Sequence, residues 1–514
     1  MKNINKKLFS LLLLPLLISC GEIKGTDTPI EEYLPTLPEY KDKNNGEIKE
    51  DSENVYFDFY ELSDFHGAIK YDSSSSQIGI ERLSTYLDNK RTLNPGGTIL
   101  LSGGDMWQGS AGSNLTKGNL VTYAMNVMNF DAMTLGNHEF DWSSSWIINN
   151  KEKANFPFLA ANLVNISDGK NPDFVSSSTI LTRGEYKIGV IGTIGENIKD
   201  TILASAVEGY EFNKEIETVK SETAKLKEQG CDIVVWSSHN DLAYLKKIVT
   251  GVDLDVDIVF GGHSHSSLSY EVDGIPMLET KSYGQALSHV ELKLNKTTKE
   301  VSVVEGWGNE VMTDSEEVSP DSDIALIYDQ YKKDYITPVE SKKICKADGK
   351  FNKSEELANF AVYSMFKSMK DGYNSYPYIK AAFTNINGGV RKDIESGTVT
   401  YGNLYESFPF DNEIVVCETT GRKLREFAYS KAYNVAMYQI IYSYIALELD
   451  EIYQFVTTDF LATSTDYFAN KCEIVKYTKV SLRDCVSDMM EKEGTIKASD
   501  YKTSASYSFD RLKD

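Results

Sequence analysis

Between residues 55 and 265 the chain alternates short apolar runs with clusters of polar residues, and this alternation limits its fold more than any bulk property. The runs are Val55–Tyr60, Thr98–Leu101, Lys187–Ile191, Asp232–Trp236 and Asp257–Phe260. Each is short and apolar, and together they read as strands, while the amphipathic stretches between them read as helices. Four of the five runs end within a few residues of a polar motif. Side chains gathered on the loops after buried strands are how a layered α/β fold builds a site.

The motifs, in order, are Asp64-Phe65-His66-Gly67, Gly104-Asp105, Gly136-Asn137-His138-Glu139-Phe140-Asp141, His239 and Gly261-Gly262-His263-Ser264-His265. They take five of the six histidines. Asp64 and His66, two apart, lie on one face of an extended or turning segment and can share a metal. The glycines before Asp105 let the chain turn tightly after a strand and present one carboxylate with two oxygens, a natural bridging ligand. Asn137 supplies a neutral donor where carboxylates already crowd the shell. Asp141, three residues beyond His138, reaches it within a helical turn and orients a partly protonated imidazole. Glu139 reads as a solvated charge, and His289 as a structural strand residue. The set as a whole is a hydrolase's inventory of ligands and bases around two metals.

The first residues set the compartment. Lys2, Lys6 and Lys7 precede an apolar run, Leu8 to Ile18, which ends in Leu17-Ile18-Ser19-Cys20. This is an export signal, too short to be read first as a spanning helix. Its end resembles a bacterial lipobox, which makes residues 1–19 a lipoprotein signal peptide and Cys20 the lipidated N-terminus. An ordinary cleaved signal is the alternative. Residues 20–54 are acidic and low in large apolar side chains, and read as a disordered tether spanning roughly 30 Å. The formal charge is −23, and loss of three signal-peptide lysines and no acid takes it to −26. That balance disfavours long nucleic acids, though metals can reverse the field for a small phosphate ester. The five cysteines beyond Cys20 include no C-x-x-C pair, so thiolate metal binding is not expected. Buried thiols are the default reading, with Cys472–Cys485 a candidate disulfide.

The ordered chain is too long for one core, so two domains are expected. The ordered motifs resemble those of the calcineurin-like metallophosphoesterases. Gly104-Asp105-Met106-Trp107-Gln108-Gly109-Ser110 and the C-terminal block narrow the resemblance to the 5′-nucleotidase family, over about residues 55–514. It implies a four-layer α/β/β/α catalytic sandwich over 55–312, a helical linker over 313–340 and a C-terminal α+β substrate-binding domain over 341–514. It also implies two divalent ions, Zn, Mn, Co or Fe. One is held by Asp64, His66, Asp105 and His265, the other by Asp105, Asn137, His239 and His263. In such a two-metal hydroxide mechanism, activated water attacks phosphorus, His138 stabilises the transferring phosphoryl group and Asp141 orients His138.

In the second domain, Asn385-Ile386-Asn387-Gly388-Gly389-Val390-Arg391 resembles the family's substrate-binding turn, with Arg391 and, more loosely, Asn387 as ligands. Phe410 and Asn412 match its Pro-Phe-x-Asn element, and Phe460 and Asp466 match the other side of an aromatic base clamp and a ribose ligand. Relatives have Gly-Gly where this chain has Ser464-Thr465, which would reshape the pocket. The expected function is an extracytoplasmic 5′-nucleotidase acting on small nucleotides, membrane-associated through its lipid anchor and without an obligate protein partner. The alternatives are a broader 2′,3′-cyclic nucleotide phosphodiesterase or nucleotide-sugar hydrolase and, from a different class, a non-catalytic surface adhesin.

Overall fold

The computed structural model describes residues 30, 33–196, 201, 204–312, 318–371, 379–386, 388–429, 435–439, 448–464 and 467–502. Cys20 and the signal segment, Asn387, Thr465 and Asp466 lie outside the described residues.

Two six-strand paths stack face to face in the N-terminal domain. The first runs Val301–Val303, Ala286–Asn295, Asn54–Leu62, Thr98–Ser102, Ala132–Thr134, Phe158–Leu159, with Gly308–Val311 added beside Ala286–Asn295. The second runs Leu268–Val272, Ile275–Glu279, Ile258–Gly261, Ile233–His239, Tyr186–Ile194, Ser178–Arg183. Phe57, Phe59, Ile99, Leu101, Ile188, Val190, Ile233, Val235, Ile258 and Phe260 fill the space between the sheets. The helices Ile80–Arg91, Asn119–Met128 and Ser144–Lys153 cover the outer face of the first sheet, and Glu215–Glu228 and Leu242–Val249 cover that of the second. This is the α/β/β/α order. The central strands are parallel and buried on both faces, which is why their sequences read as unbroken apolar runs. All five runs named above are strands.

The C-terminal domain pairs Val435–Gln439, Ile379–Asn385, Ile452–Thr458, Glu413–Thr420 and Glu473–Ser481 in one sheet, with a separate three-stranded sheet beside it. The helices Glu356–Asp371 and Leu482–Glu493 pack on one face, while Gly421–Tyr429 and Asp459–Thr463 lie on the other. Cys485 belongs to the first of these cores and donates to Ser368 Oγ at 3.3 Å; Cys472 packs into the second. The sheet between the cores rules out the Cys472–Cys485 pairing.

The connector is more apolar than its sequence suggests. Ser322–Tyr331 is α-helical, Lys332–Ile336 winds as a π-helix, and Thr337–Glu340 resumes the α-helix. Ile324, Ile327, Tyr331 and Ile336 are buried in the catalytic domain's core, and Val339 in that of its neighbour. Residues 33–54, expected within a disordered tether, instead lie along the catalytic domain. The Tyr33 ring sits 5.0 Å from that of Tyr331 and 4.9 Å from that of Tyr335, and its hydroxyl donates to Asp334. Gln330 bonds the backbone of Thr36 in both directions, and Lys43 pairs with Asp88. Acidity and low apolar content read as disorder because Tyr33's partners lie some 300 residues away, where no local period reveals them.

Candidate metal centre and substrate cavity

Both sheets deliver their motifs to one end of the sandwich. After the Asn54–Leu62 strand the chain turns at once, with Asp64 and His66 both in the left-handed region, at φ 54° and 49°. Asp105, His263 and His265 are left-handed too, at 52°, 73° and 59°. For residues with a Cβ this conformation costs roughly 1–2 kcal/mol each, and it persists where the surroundings over-determine it. So Asp64 and His66 are brought together by a tight turn, not by an extended segment. The glycines permit the crowding: a Cβ on Gly136 would lie 2.2 Å from Asp105 Oδ1, and one on Gly104 (φ 94°) 2.6 Å from Gly136 N.

Two groups of ligand atoms result, Asp64–His66–His265 and Asp105–His239–His263, each with all its donor atoms within 4.8 Å of one another. Asp105 Oδ2 is 3.1 Å from His239 Nε2 and 3.9 Å from His66 Nε2, so it stands between them. Whether a cation fits follows from proton bookkeeping. His239 Nδ1 donates to Gly103 O at 2.7 Å, and His66 Nδ1 donates to Gln108 O at 2.8 Å. In neutral rings, each Nε2 is then a bare lone pair. His239 Nε2 faces Asn137 Oδ1 at 3.1 Å and Asp105 Oδ2, His66 Nε2 faces His265 Nε2 at 3.0 Å, and His263 Nδ1 is 2.9 Å from Asn137 Oδ1. The bare His239 Nε2, Asp105 Oδ2 and Asn137 Oδ1 thus bring three acceptors to one point, and His66 Nε2 stands with Asp64 and His265 at a neighbouring one, a donor chemistry that fits two divalent ions. Burial opposes charge on His239, yet Asp105 and Asp64 raise it to about 10: the field that suits a metal holds a proton in its place. Burial, with His265 beside it, drives His66 well below the ordinary histidine range.

Surrounding groups fix these ligands. Asp64 accepts from Ser63 Oγ at 2.6 Å and from His263 N at 3.0 Å, and Asp105 Oδ1 accepts from His138 N at 2.8 Å. Glu139, read as solvated, is 0 % exposed. Its carboxylate accepts from the backbone of Gly136, Asp105 and Met106 at 2.7, 2.8 and 2.9 Å, tying two metal-site loops together. Burial first, then Asp105, raises it to about 7. The sequence signal is its place between Asn137-His138 and the buried Phe140, where an acid had little chance of reaching water. Glu279 was not singled out at all. It accepts from Ser264 Oγ, Leu242 N and Ser266 N at 2.6, 2.9 and 3.1 Å, and so holds the His263–His265 loop. His289 does serve its strand, stacked 4.4 Å from Tyr60 and bonded to Asp58 at 2.8 Å.

Beside the metal groups, His138 Nδ1 meets Asp141 Oδ2 at 2.9 Å within a single 3₁₀ turn. Burial lowers His138, but Asp141 and Asp105 outweigh it and the net shift is upward. A cavity of about 370 Å³ opens here, bounded by Asn137, His138, Asp141 and His263 on one side and by Arg391, Phe410, Asn412, Phe460 and Tyr467 on the other. Arg391 lies 5.2 Å over the Phe410 ring, donates to Gly388 O at 2.8 Å and reaches Tyr283 Oη at 3.4 Å. Phe410 is 5.5 Å from the His138 ring, so the two domains meet across the cavity. Ser464 is buried, its N–H bonded to Phe460 O at 2.9 Å. Tyr283, which touches both His66 and His265 at ring distances of 5.4 and 5.7 Å, had no distinguishing motif.

Comparison with known proteins agrees with this geometry. Residues 57–267 match the calcineurin-like phosphoesterase model, and residues 341–436 match the 5′-nucleotidase C-terminal domain. The chain is 24% identical over 410 residues to endonuclease YhcR of Bacillus subtilis, covering 73% of this chain and 32% of that protein. It is 26% identical over 472 residues to the Homo sapiens 5′-nucleotidase, covering 77% and 79%. This chain thus spans about a third of the first relative and about four fifths of the second. Among solved structures, a 5′-nucleotidase precursor from Thermus thermophilus shares the fold, with a TM-score of 0.73 at 18% identity over 86% of this chain and 97% of that one. With both domain models matched in order and the candidate metal-binding groups of the first gathered at one end of its sandwich, the chain belongs to the calcineurin-like metallophosphoesterases of the 5′-nucleotidase family and is a metal-dependent phosphoesterase.

Proposed function

We propose that this enzyme is an extracytoplasmic 5′-nucleotidase, releasing nucleoside and phosphate from nucleoside 5′-phosphates. The observation that carries the reading is one cavity where the two acceptor groups, the His138–Asp141 pair, Arg391 and two phenylalanines meet. Asp64, His66, Asp105 and His265 would hold one divalent ion, and Asp105, Asn137, His239 and His263 the other. Bound there, the ions supply a nucleophile at neutral pH and neutralise charge on the phosphoryl group. Imidazole and oxygen donors suit Zn, Mn, Co or Fe.

The protein's own groups do the rest. Arg391 neutralises and orients the phosphate. His138, its Nδ1 engaged by Asp141, offers Nε2–H to the phosphoryl or leaving oxygen. Phe410 and Phe460 stack the base, which tolerates any nucleobase and is worth about 1–3 kcal/mol; Asn387 and Asn412 are further substrate ligands and Asp466 binds the ribose. The Lys-flanked apolar start and Leu17-Ile18-Ser19-Cys20 support export and anchoring through Cys20. Among the described residues no helix is long and apolar enough to cross a membrane.

A second cavity, of about 550 Å³, favours a wider substrate range. It shares Gln108, His265, Gly388 and Arg391 with the first and extends past Tyr283. Lys70, Lys353 and Lys392 there are countered by Asp72, Glu340 and Glu406, a near-neutral lining suited to an uncharged group beyond the phosphate. Nucleotide sugars carry such a group. The test is phosphate release by chelated, remetallated protein from AMP, ATP, UDP-glucose, 2′,3′-cyclic AMP and p-nitrophenyl phosphate. Rapid AMP turnover is expected, with UDP-glucose accepted if the second cavity is used. A protein that turns over p-nitrophenyl phosphate and no nucleotide would sink the proposal.

A further inference from the structure

Two cysteines lie in the core beneath the aromatic wall of the substrate cavity. Cys417 is fully buried on the Glu413–Thr420 strand, and Cys472 stands at the entry to the neighbouring Glu473–Ser481 strand. The antiparallel register sets Cys417 opposite Ile474 and Glu418 opposite Glu473, after an irregularity at Val416. Cys472, two residues before Ile474, therefore projects from the same face as Cys417 as its diagonal neighbour. Both pack with Leu461, Ala462 and Phe468, near enough that each thiol shifts the other's ionisation. Cys472 Sγ also contacts Phe468 O at 3.6 Å and Ala462 O at 3.9 Å. Both thiols are free in the structure.

We propose that Cys417 and Cys472 are a disulfide-forming pair that closes when the chain meets a disulfide oxidant, locking the wall of the substrate cavity. Cys472 is the attacking group. The Cys417 thiol beside it lowers its ionisation against the opposing effect of burial, Lys423 adds to the lowering, and it is the less buried of the two. Its thiolate attacks one sulfur of the oxidant's disulfide and expels the other as thiolate. Cys417, deprotonated in turn, attacks Cys472 Sγ and releases the second thiolate. Two protein thiols lose two protons and two electrons, and the oxidant's disulfide is reduced to two thiols.

The bond would join the two segments that carry the aromatic wall of the cavity. Phe410 and Asn412 immediately precede the Cys417 strand, while Phe460 and Tyr467 ride on the segment that ends at Cys472. Only this consequence for the cavity rests on the nucleotide reading; the bond itself does not.

The test uses the full chain, equilibrated with glutathione disulfide or with a reductant, then denatured for thiol titration and peptide mapping. Two fewer thiols after oxidation, and a peptide joining Cys417 to Cys472, are expected; Cys417→Ala and Cys472→Ala should each abolish that linked peptide. An unchanged thiol count in the wild-type chain, or a bond mapped to other cysteines, would overturn the proposal without relying on any variant's folding. For the cavity, reduction is expected to raise KM for AMP severalfold while leaving kcat for p-nitrophenyl phosphate unchanged. An AMP KM that does not move would overturn the coupling to the cavity, independently of the thiol count.

Discussion

Three backbone N–H groups, from Gly136, Asp105 and Met106, point at one carboxylate, that of Glu139. Removing an acceptor from buried donors costs about 1–3 kcal/mol for each group left unsatisfied. Glu139→Ala should therefore lower Tm markedly, read by calorimetry. Glu139→Gln, which keeps one oxygen, should weaken metal binding about 10–100-fold, the usual loss when a ligand's support is altered. His138 gives a pH signature. Its net shift is upward because Asp141 and Asp105 outweigh burial, so its protonated form persists above the ordinary histidine range and is lost as pH rises. Asp141→Asn removes one of those charges while leaving the burial, so the alkaline limb of kcat/KM should move to lower pH. An unmoved limb would deny His138 that role.

At the scale of elements, the parallel strands were legible because both their faces are buried, leaving long apolar runs that stop where the ligand loops begin. The Asp64, Asp105, Asn137 and His263 motifs stand just past strand ends, and His239 closes its own strand. What one-dimensional reading could not deliver was contact across loops: the Glu139 cradle, the support of Glu279, and Tyr283 against two histidines. None of these depends on a repeat or a spacing. The N-terminal segment escaped for the same reason, since the aromatic partners of Tyr33 lie on the connector helix, far along the chain. Gly136→Ala tests loop crowding. Its Cβ would press on Asp105 Oδ1, and an overpacking cost of about 1–3 kcal/mol is expected. Metal affinity should fall with it, measured by titration after chelation.

For the whole molecule, ions that bind the folded chain alone stabilise it by mass action, about 2.7 kcal/mol at a free concentration one hundred times Kd. Chelation should therefore lower Tm and added Mn or Zn restore it. Because His239 is raised to about 10 by its carboxylate neighbours, it carries a proton at neutral pH when the metal is absent. Metal binding must expel that proton, so affinity should rise with pH. Calorimetric titrations in buffers of different ionisation enthalpy should report net proton release. Binding enthalpies that ignore the buffer would contradict it.

The fastening of Tyr33 also bears on how the molecule takes a pull. Tension applied at the N-terminus would reach Tyr331, Asp334 and Tyr335 on the connector before it reached the strand that leads into Asp64. The π-helical turn Lys332–Ile336 lies at that point, and its final residue, Ile336, is the connector's last contribution to the first core, three residues before Val339 enters the next. A pull on this N-terminus would therefore be taken up on the connector between the domains, while the loops that carry the candidate ligands stayed slack.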